Sequence, residues 1–246
     1  VKLVDNEFTS IQIVFYRNVV GAIFIFSTIA GGNKLTNKGG RPILLMFRGL
    51  IGTLSLYALF YNINTIGLAL SITYLQTAPI WVAIFSYFFL KETIKWQGWA
   101  AILIGFAGII IIFRPDFNAG IESNLLGIFN GIGAGAAYTA VRELRKYYDN
   151  RSIVLSFMLW GLMFPIISMS LGEMGILTDV KFLISDFALP FKDKWWALIA
   201  VGIFAIFGQL LITRSYREEK AGLVSAVGYV NIPFSIIIGY WLGDPV

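Results

Sequence analysis

Seven polar side chains stand inside strongly apolar stretches of this 246-residue sequence: Arg48, Tyr74, Gln76, Asn130, Gln209, Tyr229 and Asn231. Their chemistry is that of recognition. A guanidinium grips a carboxylate, amides donate and accept hydrogen bonds, and phenols combine an apolar ring with a polar tip. The chain has no Cys and no His. That removes thiol and disulfide chemistry, haem and most zinc or copper sites, and leaves only oxygen ligands for a metal. No metal and no cofactor is expected.

Four of these residues repeat in pattern. In "GLALSITYLQTAPIWV" (67 to 82) and "GLVSAVGYVNIPFSII" (222 to 237) a Gly-Leu opens an apolar run, a Tyr (Tyr74, Tyr229) follows seven residues after the Gly, and an amide (Gln76, Asn231) follows two after the Tyr. A proline comes next, Pro79 in one and Pro233 in the other. Proline has no N–H, so the carbonyls of Leu75 and Tyr229 lose their helical donors and need a partner or a wet cavity. Polar, proline-interrupted helices in corresponding positions of two halves point to a solute site near mid-membrane.

The elements that must hold these groups are apolar runs of spanning length at roughly 11–31, 43–62, 67–90, 97–113, 124–141, 153–171, 195–213 and 221–242. Composition agrees: 57% hydrophobic and 13% charged residues with a mean hydropathy of +0.75, against the roughly one-quarter charged residues of a soluble domain. The fold class expected is an all-α polytopic membrane protein. The first run is too long, and too well embedded in this pattern, for a signal peptide. The formal charge of +5 does not indicate nucleic acid, because the bases sit in short loops. On one side of the membrane fall twelve Lys and Arg, from Lys34 to Lys220, and on the other five, namely Lys2, Arg114, Lys181, Lys192 and Lys194. The richer side is expected in the cytoplasm, with Trp195 and Trp196 anchoring the outer interface and Trp96 the inner one.

The third and eighth runs then cross in opposite directions, as an inverted repeat with an odd number of spans requires. Two five-helix repeats are expected, 1–115 and 122–246. The partner of the fourth run would lie beyond Val246 and that of the fifth before Val1, so eight of ten helices are in this stretch, the first and last being absent.

The residues resemble those of a known family, the EamA-type carriers of the drug/metabolite transporter superfamily. The likeness is carried by "VFYRNVVGAIF", by "FRGLIGTLSLYALFYNINTIGLALSITYLQTAPIWVAIFSYFFLKE" (47 to 92), by "WQGWAAILIGFAGIIII" and, more weakly, by "GQLLITRSYREEKAGLVSAVGYVNIPFSIIIGYWLGD" (208 to 244). In the second copy Asp244 comes two positions sooner after the proline than Glu92 does in the first. The resemblance implies a multi-pass bacterial inner-membrane protein with two inverted five-helix repeats, and a cavity lined by the runs at 43–62, 67–90, 124–141, 195–213 and 221–242. It also implies small organic solutes, amino-acid-like or nucleoside-like and including S-adenosylmethionine, moved by alternating access. Partners are such a solute and the bilayer. A homodimer stays open.

Each residue also has a plainer reading. Arg48 and Arg17 lie a few residues inside their spans and can snorkel to lipid phosphates; in the alternative Arg48 faces the cavity and pairs with a solute carboxylate, while Arg17 fixes helix packing. Gln76 and Asn231 either glue helices together or face the solute, and their matched depth favours the cavity. Asn130 and Gln209 are the best of the remaining mid-span groups. Pro79 and Pro233 shape the backbone. "GIFNGIGAGAAY" (127 to 138) reads as close helix packing, and Glu92, Glu143, Glu218 and Glu219 as local ion pairs at helix ends. None of the fourteen acidic residues lies mid-span, so exchange or facilitated movement is expected over tight proton coupling. The alternatives are a membrane-embedded enzyme or a passive pore.

Overall fold

In a computed structural model of the chain, the described residues are 9–32, 34–114, 119–176, 182–187, 195–234 and 237. Among them every regular element is helical: α1 (Ser10–Ala30), α2 (Pro42–Ile66), α3 (Leu68–Leu75), α4 (Ala78–Leu90), α5 (Trp96–Phe113), α6 (Ile121–Leu144), α7 (Asn150–Glu173), α8 (Trp195–Glu218) and α9 (Ala221–Val227), followed by a 3₁₀ turn at Gly228–Val230. Among the described residues the eight expected runs are all helical, the third as α3 plus α4. Asp244 and the last residues of the eighth run lie outside the described residues.

Ser10–Ala30, Pro42–Ile66, Leu68–Leu90, Asn150–Glu173 and Trp195–Glu218 are each long and apolar enough to cross a membrane, and Trp96–Ile112 and Ala221–Phe234 are shorter apolar helices. The protein is a polytopic membrane protein. Helix α6 is long enough at 24 residues but is diluted by glycine. It packs against α2, α3 and α4, so much of its surface meets protein rather than lipid.

Local chemistry sets the helix ends. Thr9 and Gln12 form a capping box at the start of α1, satisfying two otherwise orphaned donors. Pro42 opens α2, where its missing N–H costs nothing. Gly67 alone joins α2 to α3 with φ of 82°, a conformation that strains any residue with a Cβ. At the start of α7, burial raises the Asp149 carboxyl, but hydrogen bonds from the Arg151 main chain and side chain and from Thr36 outweigh it and hold the pKa below its ordinary value.

Helix α1 packs against α7 and α8, α2 against α6 and α7, and α4 against α6 and α9, while α5 lies along α9, α3 and α4. Helix α9 runs antiparallel to α4. Its first residue, Ala221, donates to Glu92 Oε2 just past the end of α4 (2.9 Å), whereas Tyr229, further along, reaches Gln76 just before α4 begins. The glycines of α6 are contact points, as read from the sequence. A Cβ at Gly127 would enter the Tyr74 ring, one at Gly131 would strike Thr77 Oγ1 and come within 2.8 Å of the Tyr74 carbonyl, and one at Gly135 would lie 2.5 Å from Trp81 Cβ.

Candidate functional site

Both proline-containing helices are interrupted where the missing N–H predicts. The first stops at Leu75, Gln76 and Thr77 form a turn, and Pro79 takes the second position of α4. Thr77 Oγ1 donates to the Tyr74 carbonyl at 2.7 Å. The Ile80 N–H bonds to Thr77 instead of Gln76, so the Gln76 carbonyl is left without its helical donor. Tyr229 supplies one across the bundle, its hydroxyl donating to that carbonyl at 2.8 Å. In the other helix the backbone tightens into the 3₁₀ turn at Gly228–Val230, and Pro233 itself is exposed.

Tyr229 and Gln76, one from each matched stretch, therefore meet, but in a different role from the one expected. Tyr229 bonds the main chain of Gln76. Tyr74 donates to Asn124 Oδ1 at 2.6 Å, fastening α3 to α6. Asn231 is exposed and Gln76 half-buried, and neither amide lines the cavity described next. Spacing sets where these residues fall along their helices, but it does not settle which way a side chain faces around the axis.

A cavity of about 100 Å³ lies between α1, α2, α6, α7 and α8, with Leu75 of α3 at its edge. Three of the expected residues, Arg48, Asn130 and Gln209, line it together, joined by Arg17, Ser55, Tyr138 and Phe157. Arg48 is 2% exposed. Its Nη2 donates to Gln209 Oε1 at 3.1 Å, and its guanidinium carbon sits 4.7 Å from the centroid of the Phe157 ring. Gly52, one turn along α2, leaves the space this head occupies: a Cβ there would lie 2.5 Å from Arg48 Nη1. Arg17, 7% exposed, holds its guanidinium carbon 5.6 Å from the same ring.

Arg17 corrects the sequence reading, which kept α1 away from the cavity. Because α1 is packed against α7 and α8, its inner face shares Phe157 with Arg48. The snorkelling reading fails for both arginines, since both are buried. Phe157 offered no signal in the sequence, being one of 21 phenylalanines; the buried charge of Arg17 was the available clue.

Asn130 is held in a reciprocal pair with Ser55. Its Nδ2 donates to the Ser55 carbonyl at 2.6 Å, and Ser55 Oγ donates to the Asn130 carbonyl at 2.9 Å. Because the amide nitrogen must face that carbonyl, the orientation of the side chain is determined. Asn130 Oδ1 is then left as a buried acceptor with no partner, and Arg48 Nε as a buried donor with none. Among the described residues no carboxylate forms an ion pair with Arg17 or Arg48. A buried charge without a counter-ion and an unfilled acceptor are each costly, so this cavity has unmet demand for an anion and a hydrogen-bond donor.

A larger groove of about 650 Å³ runs between α2, α4 and α6 at the end bearing the basic loops, walled by Phe47, Phe85 and Phe89 under Arg41, Lys91 and Lys146. Phe89 is among the most exposed large apolar side chains, and this flank suits lipid better than a polar solute.

The ion pairs at this end meet expectation at Glu143 and depart from it at Glu92. Glu143 and Lys146 are a local pair at 2.5 Å. Glu92 instead reaches Arg142, 2.8 Å away on α6, and accepts from Ala221 of α9. Arg142 Nη1 donates to the carbonyls of Tyr216 and Arg217 on α8. Four helices are tied at one point by residues far apart in sequence.

The comparisons with known proteins agree with this architecture. Residues 1–114 match the EamA-like transporter family. Over 99% of its length the chain is 31% identical to an uncharacterized transporter of Helicobacter pylori, covering 80% of that protein. It is 27% identical to the pseudopaline exporter CntI of Pseudomonas aeruginosa over 98% of this chain and 80% of that one. An S-adenosylmethionine uptake transporter of Rickettsia bellii is 30% identical over 48% of this chain and 41% of its own. A helical bundle that spans the membrane around a buried polar cavity, with relatives that are transporters along nearly its whole length, is a transporter, and the chain belongs to the EamA-like transporter family.

Proposed function

We propose that this protein carries small organic solutes, amino-acid-like or nucleoside-like, across a bacterial inner membrane by alternating access, and that the solute sits between Arg48, Asn130 and Gln209. The observation that carries the reading is Arg48: a guanidinium 2% exposed, held by a neutral amide and an aromatic ring with no carboxylate of the described chain beside it. An unneutralised charge at this depth is retained for function. Relatives named for export of pseudopaline and for uptake of S-adenosylmethionine support the solute class and leave direction undefined.

Two inverted repeats, 1–115 and 122–246, are the mechanical half of the proposal. The packing supports it: α1 with α8 and α2 with α7 are equivalent pairs if α1 corresponds to α7 and α2 to α8, and the two proline-interrupted helices lie antiparallel against each other. Rocking about that contact would expose the cavity to each side in turn.

Uptake by proteoliposomes tests the reading. Flux of a transported solute saturates with concentration, and Gln209→Leu raises KM by about tenfold, because it removes both the acceptor that orients Arg48 and a polar wall of the site. A flux rising linearly with concentration would identify a pore, and turnover of the solute to a new compound an enzyme.

A further inference from the structure

Two guanidiniums share one small cavity. Arg17 and Arg48 approach the same Phe157 ring at 5.6 and 4.7 Å, both are buried, and no carboxylate of the described residues neutralises either one. Each lacks what a buried cation needs, and together they repel. Beside them, Arg48 Nε and Asn130 Oδ1 remain unpartnered. A carboxylate or phosphate lying between the arginines would neutralise both charges and take up the free N–H, and a donor elsewhere on the same solute would reach Asn130 Oδ1.

We infer that the Arg17–Arg48 cavity is an anion site and that the carrier reorients with an anion aboard, which makes it an exchanger. The inference rests on the transport reading above and adds its coupling rule. Alternating access passes through a state sealed at both ends, in which the site cannot borrow water from either side. With an anion bound, that state contains a compensated cluster. Empty, it contains two like charges in a low-dielectric interior, where their repulsion is least screened. Each tenfold in the empty return rate corresponds to 1.4 kcal/mol of that difference. The return half of the cycle is therefore made by a second anion rather than by the empty protein, since among the described residues no carboxylate pairs with Arg17 or Arg48 to take its place.

Two measurements decide it. The purified chain in nanodiscs is melted in acetate, succinate, inorganic phosphate or L-alanine at constant chloride and ionic strength, with choline as a cationic control. At least one carboxylate or phosphate raises the melting temperature saturably, choline does not, and the stabilisation is lost in Arg17→Gln and in Arg48→Gln but partly kept in Arg48→Lys. Whichever of carboxylate and phosphate stabilises identifies the anion. Proteoliposomes loaded with that anion, radiolabelled, are then diluted into buffer with or without the same anion outside, and efflux is at least tenfold faster with it. A panel in which no anion stabilises, or glutamine variants that respond like the parent, overturns the anion site. Equal efflux with and without external anion overturns exchange while leaving a working transporter. No efflux in either arm overturns the transport reading as well.

Discussion

Alanine at position 131 is expected to lower the stability of the folded protein by about 3 kcal/mol, the upper end of what overpacking a well-filled interior costs. The reason is the neighbour it meets. Gly131 faces the interruption between α3 and α4, where the added Cβ would strike Thr77 Oγ1 and approach the Tyr74 carbonyl at 2.8 Å. Thr77 cannot turn away without giving up its 2.7 Å bond to that carbonyl, and a carbonyl of the main chain moves only if the helix moves. The interruption would be pushed away from α6, loosening the Tyr74–Asn124 bond as well. Thermal unfolding of the purified variant should begin about 10 °C below the parent. Gly208→Ala is the control, since nothing lies within 4 Å of a Cβ built there; it should melt with the parent or slightly above it, because alanine is the better helix former. Equal melting of the two variants would mean that α6 and the interrupted helix are not in contact.

Removing one carboxylate should change which side of the membrane the cavity faces. Glu92 accepts from Arg142 on α6 and from the main chain of Ala221 on α9, while Arg142 also holds two carbonyls at the end of α8. Tyr138, in the cavity wall, stacks on Tyr216 at 5.7 Å near the same point. These contacts close the bundle at the end bearing the basic loops, and the two made by Glu92 join the first proposed repeat to the second, so rocking open at this end must break them. The pair is only partly exposed, at 22% and 15%, and truncating one partner of such a charge pair costs on the order of 2 kcal/mol, enough to shift a two-state population more than tenfold. Glu92→Gln should therefore favour the state open at this end. The chain has no cysteine, so Ala137→Cys in the cavity wall is a clean reporter. Labelling by a membrane-impermeant maleimide added at the basic-loop face should rise at least fivefold when Glu92→Gln is combined with it. Unchanged labelling would mean that the tie only trims the surface.

Membrane class, helix positions and the places where the helices break were legible in the residues alone, because these depend on properties carried locally. Runs such as 43–62 are apolar whatever surrounds them. Pro79 lacks an N–H in any fold, and the interruption at Gln76 and Thr77 follows from it. The glycines of α6 announced close packing, since only small residues let helices approach, though not that Tyr74, Thr77 and Trp81 would be the neighbours. Arg48, Asn130 and Gln209 could be singled out as candidates because a polar group within an apolar run carries its own cost.

Which of those groups would face one another was decided only by the tertiary structure. The rotation of each helix about its axis depends on the neighbours it packs against, and a pattern of spacing says nothing about that across 100 residues of chain. Hence Gln76 and Asn231, matched in sequence, do not share a cavity, and Tyr229 serves a main-chain carbonyl instead. Hence also Arg17, on a helix assigned to the periphery, stands over the same ring as Arg48, and Glu92 finds Arg142 rather than a nearby lysine. Side chains close in space but distant along the chain are brought together by the packing of whole helices, and the charge left uncompensated where they meet becomes evident only once that packing is known.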